Sequence, residues 1–185
     1  KQKSGELRAS VSGDYFLSQQ AVQQMVGVLL VSVLLLFFIL AAQFESLVQP
    51  FIILSEIVLD IFVVLVILYL LRLAIDLMSM TGLIVMAGIV INDSILKVDT
   101  INRHRKSGMP LFESIVKAGR ERLLPILMTS LTTIFSLVPF LSGGSIGADL
   151  QFPLSLTILV GMVVGTGVSI FFVPILYYVI YRKRK

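Results

Sequence analysis

The 185 residues carry a net charge of +4, are 57% hydrophobic, and are only 14% charged, where a soluble domain carries roughly a quarter. A mean hydropathy of +0.98 excludes an ordinary soluble domain. The basic residues sit in short segments between long apolar runs, which argues against nucleic acid as a partner and for a role in membrane orientation. With no cysteine and a single histidine, His104, in a basic loop, the composition offers no disulfide, no thiolate metal site and no histidine zinc site.

The fold class expected is an all-α membrane protein, with five transmembrane helices plus a short amphipathic helix on the cytoplasmic side. Lys1 to Gln20 is largely polar and reads as the end of a water-exposed domain. The run Met25 to Ala42 has no charge and is long enough to cross the hydrocarbon core. A polar turn, Gln43-Phe44-Glu45-Ser46, is closed by Pro50 near the start of a second span, Phe51 to Leu71, a place that suits proline. Arg72 to Asp76 connects to a third span, Met78 to Val98, whose second half turns polar.

The most basic stretch follows, with Arg103, Arg105, Lys106, Lys117, Arg120 and Arg122. Within it, Leu111 to Ala118 reads as a short amphipathic helix, with Leu111, Phe112, Ile115 and Val116 on one side, lying along the membrane surface. A fourth span covers Leu123 to Leu141 without a charge, and a Gly-rich loop, Ser142 to Gln151, leads to a fifth, Pro153 to Ile180. Gly143-Gly144 reads as a turn, because no GK[ST] follows it, and Gly161 and Gly165 read as a close-packing pair. The domain boundaries are 1–22 for the end of a periplasmic domain and linker, 23–181 for the membrane domain, and 182–185 for a basic tail. A chain that starts at Lys1 rather than methionine reads as a piece of a longer protein or a trimmed chain.

Five spans put the termini on opposite sides. The loop after span three and the tail Arg182 to Lys185 fall on one side by parity, and both are rich in lysine and arginine. The positive-inside rule makes that side the cytoplasm and places the amino terminus outside.

Ionisable groups at membrane depth cost several kcal/mol unless paired, so each is a functional candidate. Glu56 and Asp60 lie four apart in span two, on one helical face. Glu56 reads first as structural, being only a turn or two inside, while Asp60 is deeper. Asp93 and Lys97 share the same spacing in span three, flanked by Asn92 and Ser94. They admit two readings: a structural ion pair with Lys97 reaching to the headgroups, or a carboxylate that loads and releases a proton during a transport cycle. Thr129, Ser130, Thr132 and Thr133 in span four fit hydroxyls bonded to their own backbone or to a neighbouring helix.

Four segments carry a resemblance. Gln43-Phe44-Glu45-Ser46 with Pro50, Gly88 to Leu96, Arg122 with Pro125 to Ser130, and Phe171-Phe172-Val173-Pro174 together resemble the resistance-nodulation-division efflux permeases. Their order and spacing look like the last five of that family's twelve helices, from about residue 11 onward. The resemblance implies proton-driven export of amphiphilic compounds by a trimeric pump of the bacterial inner membrane. The energy source is the proton gradient, and no cofactor is expected. Partners would be the lipid bilayer, the amino-terminal half of the permease, a periplasmic adaptor and an outer-membrane channel.

In that family a lysine on the helix matching span three faces two aspartates of the other half, and an arginine and a threonine on the next helix complete a proton relay. By position Arg122 and Thr129 match those two. The lysine's position is Asn92, with Asp93 beside it. Lys97, five residues on, points roughly 140° away from Asn92 and cannot simply replace the lysine. The relay candidates are therefore Asp93 as proton carrier, Asn92 and Thr129 as hydrogen-bond partners, Arg122 as a tuning cation, and Lys97. Metal ions are an alternative cargo. A truncated, non-transporting membrane scaffold and a lipid-handling or export-assisting member of the same superfamily are the competing functions. No nucleophile–base pair or metal-ligand cluster points to an enzyme.

Overall fold

The computed structural model describes the backbone of residues 2–73, 75–141 and 146–182, and side chains over 21, 23–73, 75–141 and 151–182. The basic tail beyond Arg182 and the Gly143-Gly144 turn lie outside the described residues. Among those described there are five helices and no strand: α1 Gln2–Phe44, α2 Val48–Leu70, α3 Leu77–Lys106, α4 Leu111–Leu141 and α5 Ile146–Arg182. Each contains a stretch long and apolar enough to cross a membrane.

The turns follow from local chemistry. Glu45, at φ 49°, reverses the chain between α1 and α2, and the Ser46 hydroxyl accepts from the Val48 N–H at 3.3 Å. Helix α2 ends in a Schellman motif in which Arg72 takes the left-handed position, φ 56°. The Arg72 N–H bonds Tyr69 O at 3.0 Å and the Leu73 N–H bonds Leu68 O at 3.1 Å, which satisfies carbonyls the helix end would leave open. Asp76 then caps α3 through a capping box with Ser79, 2.8 and 2.9 Å. The end of α3 repeats the Schellman motif with Gly108 at φ 87°. Arg103 to Lys106 occupy its last turn, where cations complement the helix dipole.

Three boundaries differ from the sequence expectation. Leu111 to Ala118 is helical but runs without a break into the fourth span as α4. The link from Gly119 to Arg122 contains no strong breaker, and Pro125 is tolerated because neighbouring groups in a membrane helix can satisfy the freed carbonyl. Ile146 to Gln151, expected in a loop, already belongs to α5. Helix α1 likewise begins at Gln2, ahead of the apolar run.

Helix α5 is the centre of the bundle, packing against α2, α3 and α4, while α1 lies outside against α2 and α3. Two apolar clusters form the core. One, at the basic end, joins Leu40, Ile52, Ile53, Val98, Ile101, Val173 and Tyr177. The other, toward the opposite end, joins Val64, Leu68, Met80, Leu83, Met86 and Val90. Close approach of α5 depends on small residues: a Cβ at Gly161 would run into Met86 Cγ, and one at Gly165 would lie 2.6 Å from Val90 Cγ2.

Candidate functional site

Between the two apolar clusters lies a polar layer at membrane depth. On α2 the order is Ile52 and Ile53, then Glu56 and Asp60, then Val64 and Leu68. On α3, Asp93, Ser94 and Lys97 fall between Val90 and Val98, and on α5 Ser169 precedes Val173. Glu56 is 0% exposed, Asp60 1%, Ser94 0%, Lys97 2% and Ser169 1%. These are groups that water and lipid do not reach.

Lys97 Nζ donates to the Ser169 hydroxyl at 2.8 Å and also to the Ser169 carbonyl. The Ser169 and Ser94 hydroxyls are 3.0 Å apart, and the Ser94 hydroxyl donates to Glu56 Oε2. A hydroxyl has one proton to give, so Ser94, having given its own to Glu56, accepts from Ser169. The bonds therefore point one way, from the ammonium through two hydroxyls to the carboxylate. Lys97 neither forms the ion pair with Asp93 nor reaches the headgroups: the ion pair among the described residues is Asp99–Arg103 at 3.6 Å, and His104 Nε2 meets Glu121 Oε2 at 3.0 Å. The Gly165 approach brings Ser169 of α5 to α3, and its two oxygens meet the ammonium instead.

Asp60 lies one turn beyond Glu56 and interacts with it electrostatically. Both oxygens of Asp60 and Oε1 of Glu56 are buried with no hydrogen-bond partner among the described residues. The site that a Cβ would take at Gly165 is 3.4 Å from Asp60 Oδ2, so the carboxyl group faces α5.

The other relay candidates stand elsewhere. Asn92 and Thr129 are exposed on this chain, and Arg122 is half-buried. The Thr129 hydroxyl donates to Ile126 O at 2.9 Å, within its own helix, and Arg122 Nε donates to Thr100 Oγ1 at 2.8 Å. Asp93 is 8% exposed, between the exposed Asn92 face and the interior. Sequence reasoning missed Ser169. The signal was the four-residue repeat on α5, Gly161, Gly165 and Ser169, a small-residue stripe that continues past the two glycines. It also missed two linkages. Ser130 and Thr166 join α4 to α5 at 2.6 Å. At the basic end, Gln49 and Asn102 pair their amides at 3.1 and 2.7 Å, and Tyr177 donates to Asn102 Oδ1 at 2.7 Å.

Five apolar helices around a layer of ionisable groups define a polytopic membrane protein. Residues 6–181 match the AcrB/AcrD/AcrF family, and the chain belongs to that family of resistance-nodulation-division permeases. It is 29% identical over 180 residues to the multidrug resistance protein MdtC of Erwinia amylovora, covering 97% of this chain and 18% of that protein. It is 30% identical over 158 residues to the swarming motility protein SwrC of Bacillus subtilis, covering 85% and 15%. The crystal structure of a heavy metal efflux pump superposes with a TM-score of 0.77 at 30% identity, over 89% of this chain and 17% of the pump. The chain thus spans less than a fifth of the length of these relatives.

Proposed function

We propose that these helices are the carboxyl-terminal membrane part of a proton-coupled efflux permease of the bacterial inner membrane, which exports drugs or other amphiphilic compounds. The amino terminus would lie in the periplasm and the carboxyl terminus in the cytoplasm. Family membership supports the reading, and one structural observation carries it: Asn92 stands exposed on α3 at membrane depth, with Thr129 exposed on α4. A side-chain amide at that depth faces a bundle interior or a water-filled cavity rather than lipid, so Asn92 calls for a partner, which in the complete permease is the amino-terminal half.

In that setting Asp93 carries the proton, Asn92 and Thr129 are its hydrogen-bond partners, and Arg122 tunes the local charge. Lys97, turned into the bundle, acts on Asp93 only through space. The working assembly is a homotrimer coupled to a periplasmic adaptor and an outer-membrane channel. It is a transporter, not an enzyme, driven by the proton gradient without a cofactor. The likeness to a heavy metal efflux pump makes metal ions a second class of cargo.

The test is Asp93→Asn in the complete permease, assayed by ethidium efflux from cells whose wild-type permease exports it. Efflux should fall to the level of cells lacking the permease while the amount in the membrane stays unchanged. Wild-type efflux from the variant would overturn the assignment.

A further inference from the structure

We propose that Glu56, Asp60, Ser94, Lys97 and Ser169 form a proton-binding site enclosed within these five helices, separate from the exposed face that carries Asn92 and Thr129. This goes beyond the efflux reading and does not rest on it.

Charge balance comes first. The layer holds two fully buried carboxylates, Glu56 and Asp60, and a third, Asp93, at its edge, against one ammonium, Lys97. Among the described residues, three carboxylate oxygens have no hydrogen-bond donor, a state that costs the full desolvation of each atom. No subunit or other half of the protein can supply the missing partner, because Asp60 and Glu56 are covered by this chain's own helices. A buried water could donate to them but would leave the excess charge; a proton or a small cation removes it.

The facing groups favour the proton. From α3 come Lys97 and, at the edge, Asp93, both within electrostatic reach of Glu56. From α5, among the described residues, come only the oxygens of Ser169 and the backbone at Gly165. From α4, Ser130 is taken up with Thr166, and Arg122 with Thr100. Hard cations are held by a shell of several oxygens, and the Ser169 oxygens are already bonded to the Lys97 ammonium. Among the described residues, no three histidine, aspartate or glutamate side chains converge as metal ligands. A proton needs one oxygen.

The hydroxyls also give the proton a route. An N–H bond of Lys97 breaks as its proton passes to Ser169 Oγ. The Ser169 proton passes to Ser94 Oγ, and the Ser94 proton forms an O–H bond on Glu56 Oε2. Lys97 and Glu56 end neutral, both hydroxyls have turned around, and the sum of charge is unchanged. A proton entering from outside this pair neutralises Asp60, one turn away.

The experiment is a pH-difference infrared spectrum of the polypeptide purified from its source membrane, resting and without substrate, so that it succeeds or fails independently of efflux. The expected spectrum has a carboxylic-acid carbonyl band that is lost as pH is raised. That band should shift when aspartate or glutamate with carbon-13 in the side-chain carboxyl is incorporated, and it should disappear in Asp60→Asn or Glu56→Gln. It should be unchanged when sodium chloride replaces choline chloride at constant pH. No such band, a band unmoved by both isotopes, or a band kept in both variants would overturn the proposal. Loss of the band on adding sodium would also overturn it, by assigning the site to a metal cation. The isotope arm uses the native sequence and tells an aspartate from a glutamate carboxyl even where a variant fails to fold; the two variants place the band.

Discussion

A lysine at membrane depth can keep its charge by reaching the headgroups or by finding oxygens inside the bundle. Lys97 takes the second course, donating to an oxygen 72 residues away in the sequence. That distance is why the residue was legible as unusual while its partner was not: i,i+4 spacing shows neighbours on one helix and says nothing of the helix packed opposite. Glu56 and Asp60 were legible as one face, and both are buried, yet only the packed structure shows that their oxygens differ in having a donor. Removing one charge from a buried, linked set leaves the other uncompensated. Lys97→Met should therefore lower stability by on the order of 3 kcal/mol, and adding Glu56→Gln should recover much of the loss. Denaturation in detergent micelles, run as a double-mutant cycle, measures both. Two variants of equal and additive effect would show that the serine linkage carries no coupling. A smaller effect belongs to Asp76, whose side chain accepts from the Ser79 N–H at 2.8 Å. Asp76→Ala should cost about 1 kcal/mol in the same assay.

At the level of the helix, hydropathy located all five spans, because the bilayer sets a length that apolar runs must meet. It was less informative about where helices begin and end. Arg120 to Arg122 marks a change in polarity, not in backbone, so α4 continues through it, and the start of α5 has no strongly apolar residue to announce it beyond Ile146 and Leu150. The stripe Thr157, Gly161, Gly165, Ser169, Val173 and Tyr177 is buried throughout, which explains why its members are small where α5 crosses the middle of α3. Gly165→Val would drive a side chain into Val90, with a first carbon already at 2.6 Å. Overpacking of this kind should destabilise the bundle by roughly 1–3 kcal/mol, seen as a lower Tm in detergent. Gly119→Ala, where a Cβ meets nothing within 4 Å, is the matched control. It should be neutral or gain up to about 1 kcal/mol from helix propensity, and an equal loss in both variants would show that close packing is not what Gly165 provides.

On the scale of the whole molecule, the bundle has an inner polar layer complete within five helices and an outer polar face that is not. The two faces of α3 account for the division, since Asn92 is exposed and Lys97 is buried. The sequence made the outer face legible only through resemblance, because Asn92 and Thr129 lie on different helices and nothing in the spacing of one predicts the other. A five-helix bundle that presents such a face should be one side of a larger permease. The most direct measurement is the mass of the native polypeptide in source membranes, by immunoblot with an antibody against the basic tail. A band several times heavier than the 20.4 kDa of these residues is the expected result. A band near 20.4 kDa would contradict it and make the protein a free-standing membrane scaffold.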